Sequence, residues 1–204
     1  MSDATTHLSA RDPVLASLVA RHGPPPRRRP VRSGRRFESL VETIVYQQLA
    51  GRAAATIHGR LLEALDGSVT PDTVLSAPDG LLASAGLSRA KAASIRDLAA
   101  QVSTGTVALE QIGRLSDQEV VDHLTRVRGI GPWTAQMFLL GTLGRLDVWP
   151  TGDYGVRAGF ARAWGLGQIP TPSELSELGE AFRPYRSLVA WYCWRVVDEA
   201  LAAD

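Results

Sequence analysis

Apolar residues return at helical spacing in nearly every segment after residue 36, and no segment shows sustained strand alternation flanked by hairpin turns. This constrains the fold most, because a 3.6-residue period buries one stripe of each segment against its neighbours. In FESLVETIVYQQL, Phe37, Leu40, Val41, Ile44, Val45 and Leu49 fall near one stripe. Gly51 interrupts it, and AAATIHGRLLEALDG supplies a second helix stopped by Gly67. Thr70 and Pro71 form an N-cap followed by proline in the first helical position. Ser88 opens SRAKAASIRDLAAQV, and Ser116 with Glu119 and Thr171 with Glu174 are capping boxes that start two further helices. PYRSLVAWYCWRVVDEALA is the longest uninterrupted helical pattern. The expected fold class is all-α, about ten helices joined by short loops, without internal repeats.

The 204 residues suffice for one domain or two small lobes with a real core. A lone cysteine, Cys193, rules out a disulfide framework or a Cys-based zinc cluster and suits a reducing cytoplasm. MSDATTHLSARDP lacks the apolar core of a signal peptide, and no apolar run approaches the ~18 residues of a membrane span. The net charge of +1 is segregated. Residues 1–36 hold eight arginines and two aspartates, and the other 168 carry a balance of −5. Arg27, Arg28, Arg29, Arg32, Arg35 and Arg36 alternate with prolines that enforce extended, irregular backbone. Two readings stand: a solvated connector from a short first helix to the body, or a basic arm lying along phosphates. The expected organisation is a helix and arm over 1–36 and a core over 37–204.

LTRVRGIGPWTAQMFLL is the most specific stretch. It predicts a helix ending near Val127, two glycines around Ile130, and a new helix starting near Pro132. Glycine permits positive φ and close approach of another backbone, and proline in the first turn costs no hydrogen bond. The amides of Gly129, Gly131 and the next turn, including Thr134, would converge at a helix N-terminus and offer a seat for a phosphate oxygen. A lone G-x-G is more simply a helix stop and start. The whole segment, 123–142, resembles the helix–hairpin–helix element of DNA repair proteins. In that family, backbone carbonyls of the hairpin also hold a monovalent cation, Na+ or K+, and by position these belong to Thr125, Val127 and Ile130.

Some twenty residues on, LDVWPTGDYGVRAGFARAW places Asp153 just before a helix. It reads first as an N-cap. That role is compatible with chemistry, since amides and the helix dipole keep a carboxylate ionised, and an ionised carboxylate stabilises an oxocarbenium-like sugar. Hairpin, Gly/Pro-rich loop and aspartate together resemble the helix–hairpin–helix (HhH-GPD) DNA glycosylases. The likeness is nearest to the 3-methyladenine DNA glycosylase II branch of alkylation repair. FESLVETIVYQQLAGRAAATI, GLSRAKAASIRDLA, the hairpin with WPTGDYGVRAG, and RPYRSLVAWYCWR carry it over about residues 37 to 197.

That resemblance implies a two-lobed helical fold and a monomer acting on double-stranded DNA with alkylated bases, in base-excision repair, without membrane attachment. Asp153 matches the family's essential aspartate, with Asp147 a lesser candidate. Trp133 stands where backbone-cutting members carry a lysine, and an indole cannot form a Schiff base, so the implied enzyme is monofunctional and leaves an abasic site. No four-cysteine loop follows the last block, so no iron–sulfur cluster is expected, nor any required cofactor. The family's extra N-terminal β-rich domain is expected to be absent.

Such an enzyme must extrude its target nucleotide. All five tryptophans lie beyond residue 132. Although a helical aromatic is usually core, Trp133, Trp194, Tyr192 and Tyr154 are candidate base walls, and Met137 occupies a pocket position. Electron-rich indole favours a cationic purine. Family position makes Gln48 the gap-filling wedge, with Leu49 beside it; Gln47 and Gln48 read equally as a helix end. Ala50 stands where the family often has serine. The alternatives are a non-catalytic structure-specific DNA-binding protein and a glycosylase for deaminated or oxidised bases.

Overall fold

A computed structural model describes residues 2–26, 29–49 and 51–203. Arg27, Arg28 and Ala50 lie outside the described residues. Twelve α-helices and no strands occur among the described residues. They are α1 (Ser2–Arg11), α2 (Pro13–His22), α3 (Arg36–Tyr46), α4 (Gly51–Ala64), α5 (Pro71–Ser76) and α6 (Leu81–Ser84). Then follow α7 (Arg89–Ser103), α8 (Asp117–Leu124), α9 (Pro132–Gly141), α10 (Tyr154–Ala163), α11 (Pro172–Gly179) and α12 (Arg186–Ala203). None is long and apolar enough to cross a membrane.

Local sequence starts these helices as expected. Thr70 caps α5 and Ser88 caps α7, while Ser116 with Glu119 and Thr171 with Glu174 close reciprocal boxes on α8 and α11. The helices fall into two compact units, one from Pro30 to Gly144, the other from the N-terminal segment through Arg29 together with the chain from Arg145 onward. The boundary expected near residue 36 therefore does not delimit a unit. Two helices, not one, precede the arm, and they belong with the last sixty residues.

In the unit from Pro30 to Gly144, α3 buries Phe37, Leu40, Val41, Ile44 and Val45 against α4, α7 and α9. Each aliphatic side chain so buried stabilises by about 1.5–3 kcal/mol. The helix stops earlier than the apolar stripe suggests. Gln47 turns extended and Gln48 takes a φ of +55°, so Leu49 leaves the stripe and stands 39 % exposed. Lys91 Nζ, from α7, explains the stop by donating to the carbonyls of Val45 (2.7 Å) and Gln47 (2.6 Å) at the end of α3. Burial lowers the pKa of this ammonium.

The basic arm is partly structural. Arg35 forms a two-pronged pair with Glu38 at 2.9 Å, and Arg36 donates to the carbonyls of Leu109 and Glu110 at 2.8 Å each. Val31 N–H donates to Thr142 O at 2.8 Å. These contacts tie Val31, Arg35 and Arg36 to the protein's own groups.

The other unit has its own core, in which Leu15 and Leu18 of α2 meet Val156 and Phe160 of α10, Leu175 of α11, and Val189, Tyr192 and Cys193 of α12. Two tryptophans are anchors here. Trp149 Nε1 donates to Leu175 O at 2.7 Å, and Trp164 Nε1 to Asp12 Oδ2 at 3.1 Å, while Asp12 also caps α2 through Leu15 N–H at 2.9 Å.

Candidate active site

Asp153 sits where a tight turn meets α10. Its own N–H donates to Pro150 O at 3.0 Å, and its extended backbone (φ −76°, ψ 121°) makes it the N-cap. Oδ1 accepts the Val156 amide at 2.8 Å and the Trp194 indole N–H at 3.0 Å. The carboxylate therefore stands at the positive end of a helix, held by two donors. Tyr154, the next residue, is 65 % exposed, and Trp194 is half-buried. Asp153, Tyr154 and Trp194 are thus brought together.

Asp147 is excluded as the working carboxylate. Arg186 Nε donates to Oδ1 at 2.8 Å and Arg183 Nη1 to Oδ2 at 2.6 Å. Burial alone would raise its pKa, but the hydrogen bonds and charge of Arg186, with Arg183, hold it below the usual carboxylate value. A carboxylate so neutralised has little field left for a cationic sugar. Tyr192 is likewise corrected: it has no exposed surface and its hydroxyl donates to Gly23 O at 2.9 Å, so it is a core residue and not a base wall. Trp149 and Trp164, as anchors, account for part of the tryptophan cluster.

The hairpin follows α8, which ends at Leu124, three residues before Val127. Gly129 adopts φ +76°, and a Cβ there would overlap Ser94 Oγ of α7, so glycine is required twice over. Gly131 caps α9 with extended backbone, and the space a Cβ would occupy is open. Trp133 is 37 % exposed, and Met137, one turn on, is half-buried on the same face. Thr134 is buried, its hydroxyl accepting from Gln47 Nε2 at 2.9 Å, which confines any DNA contact to its backbone amide.

Three side chains support this hairpin, and nothing in the sequence marks them as its braces. Gln47 Nε2 also donates to Gly129 O at 3.2 Å, tying the loop of Gln48 and Leu49 to the hairpin. Asp97 Oδ2 accepts the Arg128 amide at 2.7 Å and Gln101 Nε2 at 2.8 Å, and Gln101 donates to Arg126 O at 3.2 Å. Asp97 and Gln101 are an i,i+4 pair on α7, legible as a pair but not as a brace.

The profile of HhH-GPD superfamily base excision DNA repair proteins matches residues 41–184. The chain belongs to that superfamily. Every expected site residue of this HhH-GPD protein lies in the matched span except Tyr192 and Trp194. The DNA-3-methyladenine glycosylase 1 of Schizosaccharomyces pombe is 30% identical over 96% of this chain and 87% of its own length. The structure of the S. pombe 3-methyladenine DNA glycosylase in complex with abasic DNA superposes with a TM-score of 0.85, covering 95% of each chain at 30% identity. A DNA-3-methyladenine glycosidase from Bacillus halodurans gives 0.75, with 94% of this chain and 92% of that one covered, also at 30% identity.

Proposed function

We propose that this HhH-GPD protein is a monofunctional DNA glycosylase that removes alkylated bases, 3-methyladenine and 7-methylguanine among them, from duplex DNA. The observation that carries the reading is Asp153, a carboxylate at the N-terminus of α10 held by the Val156 amide and the Trp194 indole. The names of its relatives support it: the S. pombe and B. halodurans proteins are both named for 3-methyladenine, and the former is solved in complex with abasic DNA. Alkylation makes the base cationic and a good leaving group. Cleavage of the bond from C1′ to the base nitrogen gives the neutral base and an oxocarbenium-like sugar, which the Asp153 charge stabilises. Water then adds at C1′ and loses a proton, leaving the abasic site. Trp133 offers no amine for a Schiff base, so the backbone stays uncut.

Trp133 and Trp194 serve as base walls, with Tyr154 and Met137 at the pocket. Gln48 enters the gap left by the extruded nucleotide, with Leu49 beside it. The amides of Gly129, Gly131 and Thr134 anchor phosphate. A monovalent cation fits the carbonyls of Thr125, Val127 and Ile130. Thr125 caps the C-terminal, electronegative end of α8, and Val127 O already points into the turn, where it accepts the Ile130 amide at 3.1 Å. When bound, it would add positive charge near phosphate. The protein acts as a monomer in the cytoplasm.

Release of 3-methyladenine and 7-methylguanine from methylated DNA tests the reading. Wild type releases both, and Asp153→Asn loses nearly all release while still binding duplex. Equal release by the two would remove Asp153 from the chemistry. No release from any alkylated substrate by folded wild type would instead favour a structure-specific binding protein.

A further inference from the structure

α10 carries glycines at 155 and 159, one turn apart on the face that meets α12. A Cβ at Gly159 would overlap the Cys193 carbonyl, so the two backbones touch there. One turn nearer the N-terminus, a Cβ at Gly155 would stand 3.0 Å from Trp194 Cδ1, 3.3 Å from Trp194 Nε1 and 3.1 Å from Asp153 Oδ1. A single methyl at residue 155 would therefore press on donor and acceptor of one hydrogen bond at once. Gly155 lies within regular helix and takes no positive φ, so its backbone conformation does not require glycine. Alanine is the better helix former at such a position. Space for the contact between Trp194 and Asp153 supplies the reason for glycine.

We propose that Gly155 and Trp194 are positioning residues for the Asp153 carboxylate: the missing Cβ admits the indole, and the indole N–H orients the carboxylate. The proposal rests on Asp153 being the group that meets the sugar. Two donors converge on Oδ1, one along the helix from the Val156 amide and one from α12. Without the indole N–H, Oδ1 loses the donor that fixes its direction toward α12, and the carboxylate turns about its Cβ–Cγ bond. Charge stabilisation at C1′ depends steeply on where that charge sits. Trp194 then contributes through its N–H as well as through its ring, a role that phenylalanine cannot fill.

The test compares Gly155→Ala, Trp194→Phe and the double variant in single-turnover release of 7-methylguanine. It also compares their affinity for duplexes carrying a cationic pyrrolidine or a neutral tetrahydrofuran ring at the abasic position. Gly155→Ala is expected to unfold at or above the wild-type denaturant midpoint, yet to release base about tenfold more slowly at unchanged duplex affinity. Its preference for the cationic ring shrinks in step. Trp194→Phe behaves likewise, and Gly155→Ala adds no further loss in the Trp194→Phe background, since both act on one bond. Wild-type rate and wild-type preference in Gly155→Ala, or additive losses in the double variant, would overturn the proposal. Full activity of Asp153→Asn would instead overturn the reading beneath it, so the two failures are distinct.

Discussion

Asp147 and Asp153 lie six residues apart in one loop, and their neighbours give them opposite work. Arg183 and Arg186 surround Asp147, whereas Asp153 caps α10 by accepting the Val156 amide and also accepts the Trp194 indole N–H. The N-cap position of Asp153 was legible because capping is local, an acceptor three residues before its donor. The loss of Asp147 to an ion pair was not, because its partners are 36 and 39 residues away. Tyr192 failed as a pocket wall for the same reason, its hydroxyl meeting a carbonyl 169 residues earlier. The lowered pKa of Asp147 has a consequence for stability. Its contribution is complete above the unfolded-state value, about 3.9, and is lost as pH falls through the lower folded-state value. Below pH 4 the urea midpoint should therefore fall with acidification more steeply for wild type than for Asp147→Asn, which lacks this proton-linked term. Parallel midpoints for the two proteins across that range would contradict the assignment.

Helix starts were readable because each capping box spans four residues. What holds the helices in place was not. The brace on the hairpin comes from Gln47, Asp97 and Gln101, all distant in sequence, and Gln47 looked like an ordinary helix end. The pattern around Gly129 did announce a positive φ, but not the side chain that would fill the space of its Cβ. Gly129→Ala consequently meets two separate penalties. Left-handed backbone costs a non-glycine residue about 1–3 kcal/mol, and overlap with Ser94 Oγ adds to it. Chemical denaturation should show a loss of at least this size, of which Ser94→Ala in the same chain restores only the overlap share. A Gly129→Ala protein as stable as wild type would refute both penalties. Gly131 has open space where its Cβ would lie and no positive φ, so Gly131→Ala should cost only the weaker N-cap preference of alanine, less than Gly129→Ala.

At the scale of the whole chain, +1 is a misleading average. The basic segment divides into arginines that hold the fold and arginines that face solvent. Arg36 binds two carbonyls, whereas Arg29 and Arg32 are exposed and Arg35, exposed as well, pairs with Glu38 at the surface. No composition could draw that line, since the partners of Arg36 lie 73 and 74 residues away. The same blindness hid the discontinuous unit, in which Asp12 is joined to Trp164 across 152 residues. An arginine that contacts a phosphate releases counterions, so each contact steepens the dependence of log affinity on log salt by about 0.9. Substituting Arg29 and Arg32 by alanine should weaken duplex binding at low salt and flatten that dependence by about one unit per arginine lost. Arg36→Met should do the reverse, lowering stability through the abandoned carbonyls of Leu109 and Glu110 while leaving the salt slope alone. Equal slopes for wild type and the Arg29 and Arg32 variant would show that neither of these two arginines contacts phosphate. Phosphate anchoring would then rest on the amides of the hairpin, which carry no formal charge and let a nearly neutral chain hold a polyanion.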